Sequence, residues 1–261
     1  MGRMLVSLIQ MNVEAGCPEK NRSTALKLIE RAAETNPDVI IMPEMWNTGY
    51  SFDSLKSICD RNGDPTLPMV KGLARETGIN IIAGSVADMR DDRVYNTSYI
   101  VGRKGEVISQ YSKIHLFGLM EEDRFLSPGE ELGLFRLDDI SCGILICYDL
   151  RFPELMRSLA LKGARVVFVP AQWPFPRQEH WVTLLRARAI ENQLYVVAAN
   201  RVGRSGRDSF FGRSMVVDPW GEVIAQAGDK ECIVNVKIDL GLVDDVRNRI
   251  PVFSDRREDL Y

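Results

Sequence analysis

The segment Ser98…Gly105-Glu106-Val107-Ile108…Gln110 recurs without a gap as Ser214…Gly221-Glu222-Val223-Ile224…Gln226, 116 residues later. An internal repeat of this length restricts the fold more than any local propensity, because two copies of one unit must each bury the same kind of face. The correspondence extends upstream. The short β-branched run 38–43 matches 165–170, and 80–84 matches 195–199. Between these runs the period is helical: Ala25, Leu28, Ile29, Ala32 and Ala33 in one copy, Trp181, Leu184, Leu185 and Arg188 in the other. A helix is also expected over 66–77, stopped by Gly78, and a first buried strand over 4–11. Strands alternating with helices and then hairpins point to an α/β protein: a four-layer α-β-β-α sandwich of two mixed sheets with an internal pseudo-twofold. One domain over 1–261 is expected, with halves of about 1–130 and 131–240 and a C-terminal arm of about 241–261.

Within the second copy, Gly143 to Ile146 is apolar enough for a strand buried on both faces, and from Phe152 the period changes. Phe152, Leu155, Met156, Leu159 and Ala160 fall on one helical face, with Pro153 suited to the first turn and Gly163 to the C-cap. Cys147 therefore sits on a sharp strand-to-helix connection, where a side chain is lifted clear of the sheet and backbone N–H groups can face an anion. A nucleophile suits that place; so does a buried structural cysteine. A second asymmetry stands out between the copies. Pro43-Glu44 in one is Pro170-Ala171 in the other, so a carboxylate stands at only one of two equivalent strand ends. That is expected of a site built once at the carboxyl ends of strands, although an ordinary surface glutamate gives the same pattern.

Composition excludes several classes. The net charge is −3, and no Lys/Arg run offers a nucleic-acid stripe. No apolar run reaches the ~18–20 residues of a membrane span, and no signal-peptide pattern opens the chain. The five cysteines at 17, 59, 142, 147 and 232 form no disulfide framework and no Cys-x-x-Cys, so a reducing cytoplasm and no metal are expected. His115 makes a Cys–His dyad conceivable, which would leave Lys113 and Glu44 unused, while His180 reads as a packed or surface residue. Asp149 and Arg151 flank Cys147 and read as an ion-pair network bracing the connection. Gly203-Arg204-Ser205-Gly206 reads as a flexible loop.

Three segments taken together carry a resemblance. Ile41-Met42-Pro43-Glu44-Met45-Trp46, Tyr111-Ser112-Lys113-Ile114-His115-Leu116-Phe117 and Ile146-Cys147-Tyr148-Asp149-Leu150-Arg151-Phe152-Pro153-Glu154 resemble the signature segments of the nitrilase superfamily, the carbon–nitrogen hydrolases, in that family's order. The resemblance covers nearly the whole chain and implies the same α-β-β-α fold. It also implies a Glu44–Lys113–Cys147 triad, with Glu122 as a second active-site glutamate. The chemistry then follows. A free thiol is only a few per cent ionised at neutral pH, so Glu44 would serve as general base. The Lys113 ammonium, with the Tyr148 N–H, would stabilise the oxyanion. No cofactor is implied.

Trp46, Tyr50, Phe117, Trp173 and Phe175 follow strands that carry or border the triad and are candidates for substrate contact, or equally for core. Within the superfamily the chain resembles the ω-amidase group most, which implies a small 2-oxo acid ω-amide such as 2-oxoglutaramate as substrate. Carbamoyl-amine hydrolases and nitrilases of the same fold remain open, as do, in other classes, a scaffold without turnover and a thiol redox protein. The segment 245–261 carries Ile250-Pro251-Val252-Phe253, an apolar anchor in a charged tail. The resemblance implies an arm over a twofold-related subunit, hence a homodimer or higher homo-oligomer.

Overall fold

The structure, a computed structural model, describes residues 2–260. The first copy runs β1 (Arg3–Gln10), α1 (Pro18–Ala33), β2 (Val39–Ile41), α2 (Leu55–Ile58), β3 (Asp60–Arg61), α3 (Thr66–Thr77), β4 (Asn80–Ile82), β5 (Val86–Arg90), β6 (Arg93–Val101) and β7 (Val107–Ser112). After α4 (Glu122–Phe125) and β8 (Leu134–Leu137) come β9 (Ile140–Ile144), α5 (Pro153–Leu161), β10 (Val166–Ala171), α6 (Gln178–Asn192) and β11 (Tyr195–Asn200). The hairpin β12 (Val202–Ser205) and β13 (Asp208–Phe211) is followed by β14 (Met215–Val217), β15 (Val223–Gln226), β16 (Cys232–Asp239) and α7 (Gly241–Arg249).

Two mixed sheets result, ordered β16-β1-β2-β4-β6-β5-β3, with β7 paired to β6, and β15-β14-β11-β10-β9-β8. Side-chain alternation builds the layers. Val6, Leu8, Val39, Ile41, Ile82 and Ile100 of the first sheet share one core with Ile144, Val166, Phe168, Val196 and Val216 of the second. The intervening Ile9, Ile40, Ile81 and Val101 turn the other way and pack with Ala25, Leu28, Ile29, Val70 and Leu73 of α1 and α3. On the far side of the second sheet, Leu155 and Leu159 of α5 and Trp181 and Leu185 of α6 close the sandwich. A strand with apolar residues at consecutive positions needs cover on both faces, which is why helices flank each sheet.

The repeated hairpins are alike in detail. Gly102 N–H donates to Glu106 O at 2.9 Å and Gly105 N–H to Gly102 O at 2.8 Å; Asp218 and Gly221 repeat both bonds, at 2.9 Å each. Gly105 and Gly221 have φ of +78° and +84°, a conformation that favours glycine. A register shift falls between Ile100 and Val101 and again between Val216 and Val217. The strands after these hairpins exchange places: β8 pairs antiparallel with β9, and β16 pairs antiparallel with β1 across Arg3–Gln10. Each copy thus ends on the other copy's first strand.

Two local expectations are corrected. The strand before Cys147 stops at Ile144, and a 3₁₀ turn over Cys147–Arg151 precedes α5. Gly203-Arg204-Ser205-Gly206 is not a loose loop, since residues 202–205 pair with 208–211 in a hairpin. The C-terminal segment begins as helix α7, and Phe253 then tucks back between Arg157 and Arg247 of its own chain, at 5.3 and 5.0 Å. No described helix is long and apolar enough to cross a membrane.

Candidate active site

The strands β2 and β10 occupy matching places in the two sheets, and their ends meet. Glu44 N–H donates to Ala171 O at 3.4 Å, and Gln172 N–H returns a bond of 2.7 Å to Glu44 Oε2. Gly84 lets Pro43 approach: a Cβ there would stand 2.0 Å from the Pro43 carbonyl oxygen. The carboxylate that one copy has and the other lacks therefore lies at the junction of the two units, fully buried.

Lys113 directly follows β7, across the hairpin from Asn96, whose carbonyl accepts its N–H at 2.9 Å. Its ammonium donates to Glu44 Oε1 at 2.8 Å and to Glu122 Oε1 at 2.7 Å. All three side chains are shut off from solvent. Asn96 Nδ2 also donates to Glu44 Oε1, at 2.8 Å. Glu122 is held in turn by Tyr50 Oη at 2.7 Å and by the Phe117 N–H at 2.9 Å. Burial works to lower the Lys113 pKa, but the Glu122 and Glu44 carboxylates outweigh it and raise it above its ordinary value. Glu122 is raised by burial and by Glu44, against the pull of Lys113.

Cys147 joins this group. Burial together with the Glu44 charge holds its thiol well above the ordinary thiol range, in spite of Lys113. The thiol is thus stored protonated beside a base. Cys147 has φ of +47°, a left-handed conformation that costs a non-glycine residue roughly 1–3 kcal/mol and that the surroundings have to enforce. Asp149 supplies much of that enforcement. Its Oδ2 accepts from Ile146 N–H at 3.0 Å and Tyr111 Oη at 2.7 Å, and its Oδ1 accepts from His115 N–H at 2.9 Å. The Tyr148 N–H lies in the first turn of the 3₁₀ segment, where N–H groups have no intrahelical acceptor.

Glu44, Lys113, Cys147 and Glu122 come together, and Tyr50, Phe117, Tyr148 and Trp173 line the pocket over the thiol with Met120, Arg151, Gln172 and Arg177. Trp46 does not. It is buried on the α1/α3 side of the first sheet with its indole N–H on Ala83 O at 2.6 Å, because the chain turns after Glu44, with Met45 at a φ of +44°. Phe175 borders an outer vestibule with Tyr50, Phe52, Met120 and Arg177. His115 is engaged by Asp149 and stacks on Phe152 at 3.5 Å, so its ring nitrogen serves the connection and not the thiol. His180 is exposed.

The Asp149–Arg151 pairing is also corrected. Asp149 braces the connection alone, whereas Arg151 turns to the pocket, 4.8 Å over the Trp173 ring and 3.3 Å from His180 Nδ1. Arg177 lies 5.4 Å over the Phe117 ring. Neither guanidinium has a carboxylate partner among the described residues. Burial, with the Arg177 charge adding to it, lowers the Arg151 pKa. Asn96, Gln172 and Arg177 were not singled out from the sequence. Asn96 was legible in principle, since the hairpin register puts it opposite Lys113.

Comparison with known proteins agrees with this geometry. The carbon-nitrogen hydrolase family model matches residues 5–248. The chain is 44% identical to 2-oxoglutaramate amidase of Bacillus subtilis (strain 168) over 98% of both chains. It is 33% identical to omega-amidase NIT2 of Xenopus tropicalis, over 100% of this chain and 98% of that one. Saccharomyces cerevisiae Nit3, described as a member of branch 10 of the nitrilase superfamily, superposes with a TM-score of 0.90 at 30% identity, covering 98% of this chain and 97% of the other. A buried thiol, two carboxylates and an ammonium converging where two repeated sheets meet, on a chain matched nearly end to end, make this protein a carbon–nitrogen hydrolase of the nitrilase superfamily, acting on C–N bonds other than peptide bonds.

Proposed function

We propose that the protein is an ω-amidase that hydrolyses the terminal amide of a small 2-oxo dicarboxylic acid monoamide, such as 2-oxoglutaramate, to the dicarboxylate and ammonia. The observation that carries the chemistry is the Lys113 ammonium held by both Glu44 and Glu122, beside the Cys147 thiol whose pKa the Glu44 charge raises. Glu44 takes the Cys147 proton as sulfur attacks the amide carbon, forming the C–S bond and a tetrahedral oxyanion. Lys113 and the Tyr148 N–H stabilise that charge in a dry site where the donors are already in place. The C–N bond then breaks; the proton on Glu44 goes to the leaving nitrogen, ammonia departs, and a thioester on Cys147 remains. Water, giving its proton to Glu44, attacks the thioester. The acid leaves as the thiol regains that proton. Glu122 orients Lys113 and contributes to the negative potential that keeps the ammonium charged.

The substrate class is supported by Arg151 and Arg177. Two guanidiniums without carboxylate partners, lining one narrow pocket with the thiol, repel one another until an anion lies between or beside them. An amide whose far end is a 2-oxo carboxylate supplies that anion, with Tyr50, Phe117 and Trp173 around the short chain between. The identity to 2-oxoglutaramate amidase points the same way.

Ammonia release from a panel of 2-oxoglutaramate, 2-oxosuccinamate, neutral aliphatic amides, carbamoyl amines and nitriles tests this. The 2-oxo acid amides should rank first in kcat/KM by at least about tenfold, one lost ionic contact being worth more than ~1.4 kcal/mol. Cys147→Ala should abolish turnover. A neutral amide or a carbamoyl amine ranking first would overturn the substrate class, and turnover by Cys147→Ala would overturn the mechanism.

A further inference from the structure

Arg201 follows β11 directly and is completely buried. Its Nη1 donates to Gln172 Oε1 at 3.1 Å, its Nε to Val202 O at 3.1 Å, and its Nη2 to Asn12 Oδ1 at 3.4 Å and to Val13 O. The guanidinium also lies 4.3 Å from the Phe210 ring centroid. Every one of these partners is neutral. A buried cation surrounded only by dipoles is costly unless a negative charge nearby compensates it. Burial lowers the Arg201 pKa to about 10, so the charge persists at neutral pH.

The compensating charge is one residue away. Gln172 donates its backbone N–H to Glu44 Oε2 at 2.7 Å and its side-chain Nε2 to Glu44 O at 2.8 Å. With Oε1 taken by the guanidinium, the Gln172 amide has a single orientation, Nε2 toward Glu44. Lys113 alone is ion-paired to Glu44 and Glu122, and Arg201, through Gln172, brings a second positive charge to the Glu44 side of that group. We propose that Arg201 is a positioning residue that, through Gln172, fixes the Glu44 carboxylate and favours its ionised, proton-accepting form. This rests on the reading of Glu44 as general base.

The test is the pH dependence of kcat/KM of the full chain, with whichever amide the panel ranks first, for the wild type, Arg201→Gln, Arg201→Lys, Gln172→Ala and the Arg201→Gln/Gln172→Ala pair. Arg201→Gln should lower kcat about 10–100-fold with KM nearly unchanged, and should move the acid limb to higher pH, because Glu44 then gives up its proton less readily. Arg201→Lys should recover part of that shift. Gln172→Ala should cost much less on top of Arg201→Gln than in the wild type, since both break one relay. An unmoved acid limb, or two losses that simply add, overturns the proposal. If Arg201→Gln does not fold, Gln172→Ala alone decides, an unmoved limb again counting against it. Glu44→Gln separates the two levels. Turnover retained there defeats the mechanism itself, whereas an inactive Glu44→Gln beside Arg201 variants with a wild-type limb defeats only this inference.

Discussion

Lys113 is an ammonium with no access to water, held by two carboxylates that would otherwise face each other. Its removal should therefore affect stability as well as rate. In Lys113→Met, Glu44 and Glu122 lose their common cation, and breaking a buried ionic group in this way costs roughly 3–5 kcal/mol. We expect a fall in Tm of many degrees and a loss of at least ~10² in kcat, the usual effect of losing an oxyanion donor. Adding Glu122→Gln removes the repulsion and should return part of the Tm while leaving kcat low. Thermal melts and turnover of the two variants check this; a Tm unchanged in Lys113→Met, or a kcat restored in the double variant, would contradict it. The Glu44 asymmetry, the Lys113 position and the Cys147 connection were all legible as residue types at strand ends. Trp46 was misplaced because the turn at Met45, which sends its indole back into the core, leaves no signal in the sequence.

At the scale of elements, β3 shows a charge that the fold tolerates at some cost. Asp60 sits opposite Asp88 in the β3–β5 pair, with Arg22 Nη1 at 3.6 Å. Burial pushes its carboxyl up to about 6, against the pull of Arg22. The sign follows from linkage. Between about pH 4, where the unfolded chain loses this proton, and about 6, where the folded chain does, stability falls as pH rises. The whole penalty, at most ~3 kcal/mol, is present above that window and absent below it. Asp60→Asn should thus raise Tm at neutral pH, with the gain shrinking to nothing in the acid range. Melting curves across that window measure it, and a gain independent of pH would point to packing and not to charge. A strand of two residues, as β3 is, escaped sequence reading altogether. β3 lacks the length for a period to appear, and its partner β5 lies 28 positions along the chain, Asp60 opposite Asp88.

At the scale of the whole molecule, the exchange of β8 and β16 between the repeated units ties the two sheets together and holds Glu44 against Gln172 of the other unit. The Glu44 carboxylate is therefore held by both units. The outer side of the second sheet's helices leaves Leu161 and Ile190 exposed, as is Ile250 at the start of the arm. We propose that a second copy covers this side, giving a homodimer. Light scattering should then report about twice the 29.5 kDa chain mass. A monomeric mass at working concentration would exclude it, and Leu161→Glu/Ile190→Glu should yield that monomer if the contact lies there.

The sequence by itself determined the α/β repeat, the hairpins with their turns and the residue types at the strand ends, because period, turn chemistry and the asymmetry between copies are local properties of the chain. Only the tertiary structure decided which of those side chains meet. It turned Arg151 to the pocket instead of to Asp149, put Gln172 and Asn96 on Glu44, and buried Arg201 among neutral hydrogen-bond partners. These outcomes depend on burial and on contacts between residues far apart in the chain, from Arg151 with Trp173 to Glu44 with Asn96 and Gln172, and no short window of sequence contains either.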